Sequence, residues 1–285
     1  MSQRCTCESA LYQVDSGLAT FGPEMVRLRD LLEARFLAWA ADVTAEVKLY
    51  PPLLRVEDLA VLDYFRNFPH LALVASRIRG ENLESGYASN QDKLVEVPNE
   101  HLTAGGHVLP SAACFNVFLG LRGAVLEAPH KITTVATCFR NETHYNELQR
   151  LWSFTMREIV CVGSADAVKE HLTSFKARIA AFAETIGLPI EFANATDPFF
   201  SKNDPRLLMQ KLFPQKEEMV YGDGIAIGSL NFHRNFFGER CDIRLKDGDH
   251  AFTGCVAFGL ERWLHALLDR HNDDIEAAIQ ALSVA

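Results

Sequence analysis

The sequence predicts an α/β (α+β) fold in which an antiparallel sheet is flanked by helices. Two segments, 23–42 and 164–187, carry apolar residues at helical spacing. Two other segments, 132–139 and 151–162, are rich in β-branched and aromatic residues, and a polar stretch joins them. Such a pair is typical of neighbouring antiparallel strands. We therefore expect a layer of strands covered by helices.

The first predicted helix covers residues 23–42. It begins after Gly22, where Pro23 suits the first helical position. A broad apolar face should turn toward the core; its members are Val26, Leu28, Leu31, Leu32, Phe36, Leu37 and Ala40. Residues 71–75 form the next predicted strand, and the strand pair 132–139 and 151–162 follows.

The second predicted helix, residues 164–187, has the clearest pattern in the chain. Ser164 can cap its start, and Gly187 with Pro189 should end it. Apolar residues recur in steps of three and four, and these are Val168, Leu172, Phe175, Ile179, Phe182 and Ile186. We expect this helix to pack on the sheet as a structural element.

The C-terminal part is predicted to hold further strands and helices. Segments 219–221 and 225–232 read as strands on either side of the turn at 222–224, and 246–249 forms another turn. Residues 254–268 are predicted to form a helix, on which Cys255 and Arg262 would share a face about 10 Å apart, given a rise of about 1.5 Å per residue. A short Ala-rich helix follows. The helical spacing comes from Leu260, Trp263, Leu264, Leu267 and Leu268.

Length and charge narrow the range of partners. With 285 residues, the chain has room for a single domain, residues 1–285. It carries 28 Lys and Arg against 37 Asp and Glu, for a net charge of −9, and it lacks a run of basic residues. Because polyanion binding depends on clustered Lys and Arg, tRNA is not an expected partner. A basic patch that forms only on folding is the alternative.

Cysteine usage indicates the compartment. Seven cysteines, an odd number spread along the chain, favour reduced thiols in the cytoplasm over a disulfide framework. Cys5 and Cys7 are predicted to be functionally neutral, and Cys161 and Cys241 to be small buried residues. No segment is long and apolar enough to span a membrane, and residues 1–20 lack a signal-peptide core.

Charged and aromatic residues alternate along the predicted strand pair. Arg140 and Glu142 should point the same way, as should Phe154 and Glu158. A guanidinium grips phosphate, a carboxylate accepts from an exocyclic amine, and a Phe ring can stack on a base. The set suits a purine nucleotide, whereas the simpler interpretation is a surface hairpin with ordinary ion pairs. Arg262 favours the nucleotide, because burying it is costly unless an anion meets it.

These motifs resemble a known enzyme class. Residues 139–142, Phe-Arg-Asn-Glu, together with 154–158 resemble motif 2 of class II aminoacyl-tRNA synthetases, and 259–262, Gly-Leu-Glu-Arg, resembles motif 3. Segments 111–114, 156–158 and 254–259 resemble the zinc-containing seryl-tRNA synthetases of archaeal type. They resemble more closely the stand-alone relatives of those enzymes, the amino acid:[carrier protein] ligases. The resemblance covers about residues 64–268 and implies a class II synthetase-like antiparallel sheet flanked by helices.

The resemblance implies a metal site. It maps three zinc ligands onto Cys114, Glu158 and Cys255, with the open position of the zinc left for the substrate's α-amine. Cys138 shares a strand face with Arg140 and is a rival for Cys114 that spacing does not exclude. Asn231 is either a member of the substrate pocket or the donor of a strand-end hydrogen bond.

The resemblance also implies a reaction. Arg140 would hold the α-phosphate of ATP and the substrate carboxylate, Arg262 the γ-phosphate, and Glu142 and Phe154 the adenine, while Mg²⁺ neutralises the phosphates. The aminoacyl-adenylate, with glycine or alanine favoured as the amino acid, would then react with the phosphopantetheine thiol of an acyl or peptidyl carrier protein. A homodimer is also implied.

Two other functional classes stay open. One is a tRNA-charging enzyme with a separate RNA-binding partner, and the other is a non-catalytic paralogue that senses an amino acid. Such paralogues usually lose a motif arginine or an adenine contact. This chain keeps both arginines, Arg140 and Arg262, and both adenine contacts, Glu142 and Phe154, so catalysis is favoured. Loose candidates for docking an acidic carrier protein are Arg77, Arg79, Lys202 and Arg206.

Overall fold

The computed structural model describes residues 6–8, 11–83, 96–201 and 215–284. Its helices include α1 (Pro23–Asp42), α2 (Val56–Val61), α3 (Tyr64–Asn67), α4 (Phe115–Gly120), α5 (Ala165–Thr185), α6 (Phe236–Cys241), α7 (Leu260–Arg270) and α8 (Ile275–Ser283). Its strands include β1 (Thr6–Glu8), β2 (Tyr12–Asp15), β3 (Leu18–Phe21), β4 (Glu46–Val47), β5 (Leu54–Arg55), β6 (Leu73–Ala75), β7 (His107–Leu109), β8 (Val125–Leu126), β9 (His130–Phe139), β10 (Ser153–Gly163), β11 (Ile190–Ala195), β12 (Lys216–Tyr221), β13 (Ile225–Arg234), β14 (Arg244–Leu245) and β15 (Phe252–Gly259).

The main sheet has seven strands in the order β11-β12-β13-β15-β10-β9-β4. Every neighbouring pair runs antiparallel except β4 and β9, which are parallel. The predicted strand pair is β9 and β10, joined in register from Phe139 opposite Ser153 to His130 opposite Val162. The predicted fold class, an antiparallel sheet flanked by helices, is confirmed.

The two faces of this sheet pack against different helices. On one face lies a core shared with α1, α5, α7 and α8, in which Phe36 stacks on Phe258 with ring centroids 3.9 Å apart. Arg157 also points to this face, where its guanidinium pairs with Glu33 of α1. The opposite face carries a second core with α4 and α6, in which Phe118 stacks on Phe237 at 4.0 Å. The candidate site lies on this second face.

Several predicted elements have the expected bounds. Helix α1 covers the predicted residues, and α5 begins after Ser164, whose side chain accepts a hydrogen bond from the backbone N–H of Ala167. Gly187 follows α5 with φ of +64°, the left-handed conformation that ends many helices. The strand predicted at 71–75 is shorter, because Pro69–Leu71 form a 3₁₀ helix and only Leu73–Ala75 are extended.

One predicted element is wrong. Residues 254–259 belong to strand β15, and the helix begins only at Leu260, so Cys255 and Arg262 do not share a helix face. Strand β15 lies between β10 and β13 and is buried on both faces, so its apolar residues do not alternate with polar ones. A short apolar run of this kind cannot be told from a buried helix by periodicity.

Two further predictions concern the burial of the cysteines and the lack of a membrane-spanning segment. Cys161 and Cys241 are buried free thiols, as expected. Cys5 and the side chain of Cys7 lie outside the described residues. Among the described helices, none combines the length and apolarity that crossing a membrane requires.

Candidate active site

The strand registers bring Phe154, Glu158, Asn231 and Cys255 to one face of the sheet, whereas Arg140 and Glu142 lie beyond the end of β9 at Phe139. On β10, Phe154, Met156 and Glu158 alternate toward this face, since side chains two residues apart point the same way. Cys255 on β15 is paired with Val160 of β10 and with Asn231 of β13, so it faces the same side. Strands β10 and β15 therefore place a predicted nucleotide-binding residue, Phe154, on the same sheet face as two predicted metal ligands, Glu158 and Cys255.

Cys114, Glu158 and Cys255 form a compact buried cluster. One ligand atom of each, the two sulfurs and a carboxylate oxygen, lie within 4.8 Å of one another. The three residues are 5%, 1% and 2% exposed. The backbone N–H groups of Ala113 and Cys114 donate to Oε1 of Glu158 at 2.8 and 3.1 Å, which fixes the carboxylate beside the segment that carries Cys114.

Polar groups from β13 support this cluster. The Asn231 amide donates to Sγ of Cys255 at 3.3 Å and to the hydroxyl of Ser229 at 2.9 Å. Nε2 of His233 lies 3.8 Å from the same sulfur, and its Nδ1 lies 3.2 Å from the hydroxyl of Thr253. Burial lowers the pKa of His233 to about 4, so its ring is neutral at pH 7. Sequence reasoning assigned no role to His233.

The donor set of the cluster fits zinc. A hydrogen bond with Cys255, burial and the Glu158 charge together raise the pKa of Cys114 well above its ordinary value. For Cys255, the hydrogen bond from Cys114 lowers the pKa, but burial and Glu158 outweigh it and raise the pKa to about 11. Ionising these buried thiols beside a carboxylate is unfavourable unless a cation balances the negative charge. Two sulfurs and one carboxylate match a zinc site with one open position.

Cys138, the rival for Cys114, lies on the same sheet face but outside this cluster. It is opposite Phe154 in the β9–β10 register and is fully buried. Its sulfur contacts the carbonyl of Ala136 at 3.8 Å, and burial raises the pKa of its thiol. In the described part of the chain, the three-residue group contains Cys114 and not Cys138.

Beside the cluster, a cleft of about 100 Å³ opens to solvent. The cleft contains all four residues predicted to contact ATP. Charged and aromatic side chains in its lining are Arg140, Glu142, Arg150, Phe154, Lys216, Glu218, Glu261 and Arg262.

Arg140 is held between the cleft and the cluster. Its guanidinium carbon lies 4.9 Å from the centroid of the Phe154 ring, a cation–π contact. One terminal nitrogen donates to the carbonyl of Ser111 at 3.4 Å, while its buried Nε has no hydrogen-bond acceptor in the described part of the chain. An anion in the cleft would satisfy that donor.

Arg262 also lines this cleft. Its Nε donates to the carbonyl of Gln149 at 2.7 Å and its NH1 to that of Ala226 at 2.8 Å. Burial, followed by the neighbouring charges of Arg140 and Arg150, lowers the pKa of the Arg262 guanidinium. A phosphate between these cations would relieve their mutual repulsion.

Glu142 is already paired in this cleft. Arg150 donates to its Oε2 at 2.7 Å. The predicted adenine contacts, Glu142 and Phe154, therefore each pack against an arginine, Arg150 and Arg140 respectively. Base binding at these residues requires the nucleotide to share or replace those contacts.

A second cavity, of about 330 Å³, lies beside the cluster. Asn231 and His233, which contact the Cys255 sulfur, also line this cavity. Lys216 lines both the cavity and the cleft. Of the suggested docking residues, Arg77 is exposed and Arg79 donates to the carbonyl of Leu102, whereas Lys202 and Arg206 lie outside the described residues.

A family model and individual relatives assign the chain to the same family. Residues 112–271 match the tRNA synthetase class II core domain (G, H, P, S and T). Amino acid–[acyl-carrier-protein] ligases 1 and 2 of Bradyrhizobium diazoefficiens are 31% and 32% identical over 243 and 238 residues. The alignments cover 81% of this chain and 73% and 71% of those relatives. A type-2 serine–tRNA ligase of Methanopyrus kandleri is 24% identical, over 81% of this chain and 49% of its own.

Solved structures share the fold. M. kandleri SerRS, in complex with A. aeolicus tRNASec, superposes with a TM-score of 0.79 at 21% identity, over 98% of this chain and 58% of that chain. Giardia lamblia prolyl-tRNA synthetase, in complex with prolyl-adenylate, gives 0.67 at 14% identity, over 88% and 48%. At these identities the likeness concerns the fold, and this chain spans about half the length of such enzymes.

Proposed function

The chain belongs to the tRNA synthetase class II core family, and from that premise we propose that it is an adenylate-forming ligase. It activates a small amino acid, glycine or alanine, with ATP and transfers it to the phosphopantetheine thiol of a carrier protein. One observation carries the proposal. A cleft lined by Arg140 and Arg262 lies beside a buried Cys-Glu-Cys cluster on one sheet face.

In the first half-reaction, a carboxylate oxygen of the amino acid attacks the α-phosphorus of ATP, and pyrophosphate leaves. Arg140 holds the α-phosphate and the carboxylate, for which its unpartnered buried Nε is a suitable donor. Arg262 holds the γ-phosphate, and Glu142 and Phe154 orient the adenine. Fixed cations stabilise charge as it develops on the phosphates, with Mg²⁺ as the ATP counterion.

The cluster distinguishes an amino acid from a simple carboxylic acid. Cys114, Glu158 and Cys255 would hold zinc, and the zinc would supply a Lewis-acid position for the neutral α-amine. Asn231 donates to the Cys255 sulfur, and such contacts orient ligands and tune their basicity. This assignment joins the two roles that the sequence left open for Asn231, a substrate-side residue and a hydrogen-bond donor.

In the second half-reaction, a thiol sulfur attacks the activated carbonyl carbon. AMP leaves, a thioester forms, and the thiol proton passes to solvent. The nature of the acceptor is supported by the relatives from B. diazoefficiens, which are named as carrier-protein ligases. The acidic balance of the chain, −9, also disfavours tRNA as the acceptor.

We further propose that the enzyme is a cytoplasmic homodimer. Free thiols at Cys114, Cys138, Cys161, Cys241 and Cys255 are consistent with a reducing compartment. Leu49 and Val74, 78% and 54% exposed, are apolar side chains that a partner subunit would cover. Light scattering of the purified chain gives the mass that tests the dimer.

The decisive experiment is amino-acid-dependent exchange of pyrophosphate into ATP, with all amino acids, in zinc-loaded and metal-free protein. We expect exchange with glycine or alanine, dependent on zinc. Labelled amino acid is then offered to holo-carrier, apo-carrier and total tRNA. Label on holo-carrier alone, released by hydroxylamine, supports the proposal. Label on tRNA identifies a tRNA-charging enzyme, and absence of exchange with any amino acid contradicts activation altogether.

A further inference from the structure

His233 is the extra residue of a β-bulge. Phe232 of β13 is paired with Gly254 of β15, but Arg234 is paired with Thr253, so His233 has no residue opposite it. Bulges bend a strand and change the direction of a side chain, and they are frequent beside active sites. Here the bulge directs the imidazole toward the Cys255 sulfur, 3.8 Å from Nε2.

The imidazole ring is fixed on several sides. Phe118 and Phe237 meet it edge to face, with centroid separations of 5.6 and 5.0 Å and interplanar angles of 80° and 86°. The Thr253 hydroxyl lies 3.2 Å from Nδ1. Edge-to-face packing is a favoured aromatic geometry, so the ring is held in one orientation. A side chain fixed in this way can serve as a wall.

The wall stands between the cluster and the second cavity. His233 and Asn231 both line the cavity and both contact the Cys255 sulfur. In the described part of the chain, the cavity lining includes none of the three cluster residues. The cavity volume is about 330 Å³, and its aromatic lining is formed by Phe68, Phe199, Phe232, Phe236 and Phe237. Ample apolar space thus lies directly behind one imidazole.

We propose that His233 is a specificity-determining residue that restricts the substrate to a small side chain. The inference rests on the proposed function, in which the α-amine is at the cluster and the carboxylate is at Arg140. With both ends of the amino acid fixed, its side chain must fit against the remaining wall. His233 closes that wall, and its removal joins the amine site to the aromatic cavity.

The test compares His233→Ala with the wild type and with Thr253→Val. The valine variant removes the hydroxyl beside Nδ1 but keeps the imidazole as a wall. His233→Asn provides a second, shorter side chain in case the alanine variant does not fold. Each protein is loaded with zinc, its zinc content is measured, and pyrophosphate exchange is followed with glycine, alanine, leucine, methionine and phenylalanine. Binding of the sulfamoyl-adenosine analogues of glycine and leucine is measured by calorimetry.

We expect His233→Ala to keep its zinc and to shift activation from glycine toward leucine or methionine. The ratio of kcat/KM for leucine to that for glycine should rise at least tenfold, since one methylene group alone supplies discrimination of about 10- to 200-fold. The leucine analogue should gain affinity by a similar factor. Thr253→Val should keep the wild-type selectivity.

Three results would overturn the inference. The first is unchanged selectivity in folded His233→Ala or His233→Asn while the wild type activates glycine or alanine, which leaves the proposed function intact. The second is loss of zinc from both histidine variants, which would make His233 part of the metal site. The third is a wild-type protein that activates no amino acid, and this result alone also removes the proposed function.

Discussion

Replacing Glu158 should separate metal binding from folding at the centre of the site. Oε1 of this carboxylate accepts from the backbone N–H groups of Ala113 and Cys114 at 2.8 and 3.1 Å, and the residue is 1% exposed. Glu158→Gln keeps an oxygen acceptor for both N–H groups but removes the negative charge, and a neutral amide is a poor zinc ligand. Glu158→Ala removes both the acceptor and the charge.

The two variants should differ in stability without metal. Each buried N–H group left without a partner costs about 1–3 kcal/mol, so Glu158→Ala should lose about 2–6 kcal/mol. That loss is large beside a typical total of about 5–15 kcal/mol. At about 2–4 °C per kcal/mol, the metal-free alanine variant should melt about 4–24 °C below wild type. Glu158→Gln should stay close to the wild-type value.

Among the wild type and the two Glu158 variants, zinc should raise the melting temperature of the wild type only. A ligand at 100 times its dissociation constant stabilises the folded state by about 2.7 kcal/mol, which corresponds to about 5–11 °C here. Differential scanning calorimetry with zinc and with chelator measures the shift, and mass spectrometry of the metal gives the stoichiometry. One zinc per chain in Glu158→Gln, with an unreduced shift, would refute the ligand assignment. A metal-free alanine variant as stable as wild type would refute the structural role.

Three further outcomes are expected. Arg262→Ala should raise the KM for ATP in pyrophosphate exchange at least tenfold and leave zinc content unchanged; an unaltered KM would contradict the γ-phosphate role. Cys138→Ser should keep one zinc per chain, whereas Cys255→Ser should fall well below one, and the reverse pattern would overturn the ligand set. Burial lowers the pKa of His171 to about 4. Below pH 6.5 the unfolded chain therefore takes up a proton that the folded chain does not. As a result, the free energy of unfolding should fall by up to about 3 kcal/mol between pH 6.5 and pH 4. His171→Gln should lose that part of the pH dependence in urea titrations, and an identical slope would contradict it.

Local signals were enough for the elements whose ends are fixed by their own residues. The start of α1 at Pro23 and the Ser164 cap of α5 are determined by backbone constraints within a few residues. The pairing of β9 with β10 followed from two strand-like segments and a short connection. In each case the determining contacts are close in sequence.

Signals that depend on distant contacts were misread or missed. The run at 254–259 becomes a strand because β10 and β13 pair with it, and both strands lie far from it in sequence. The position of His233 depends on a one-residue register shift, which no composition or periodicity records. Cys114 could be placed near Glu158 only by resemblance, since the hydrogen bonds that join them span 44 residues or more.

The corrected geometry of β15 makes the proposed site more suitable for its substrates. On a helix, Cys255 and Gly259 would be about 6 Å apart, at about 1.5 Å per residue. On a strand they are about 13 Å apart, at about 3.3 Å per residue, and Arg262 follows on α7. In the proposed reaction, the α-amine and the γ-phosphate are the two far ends of the reacting pair, and Arg140 must act between them. A strand followed by a helix gives that longer span along one continuous segment, with the Cys255 thiol toward one end and the Arg262 guanidinium toward the other.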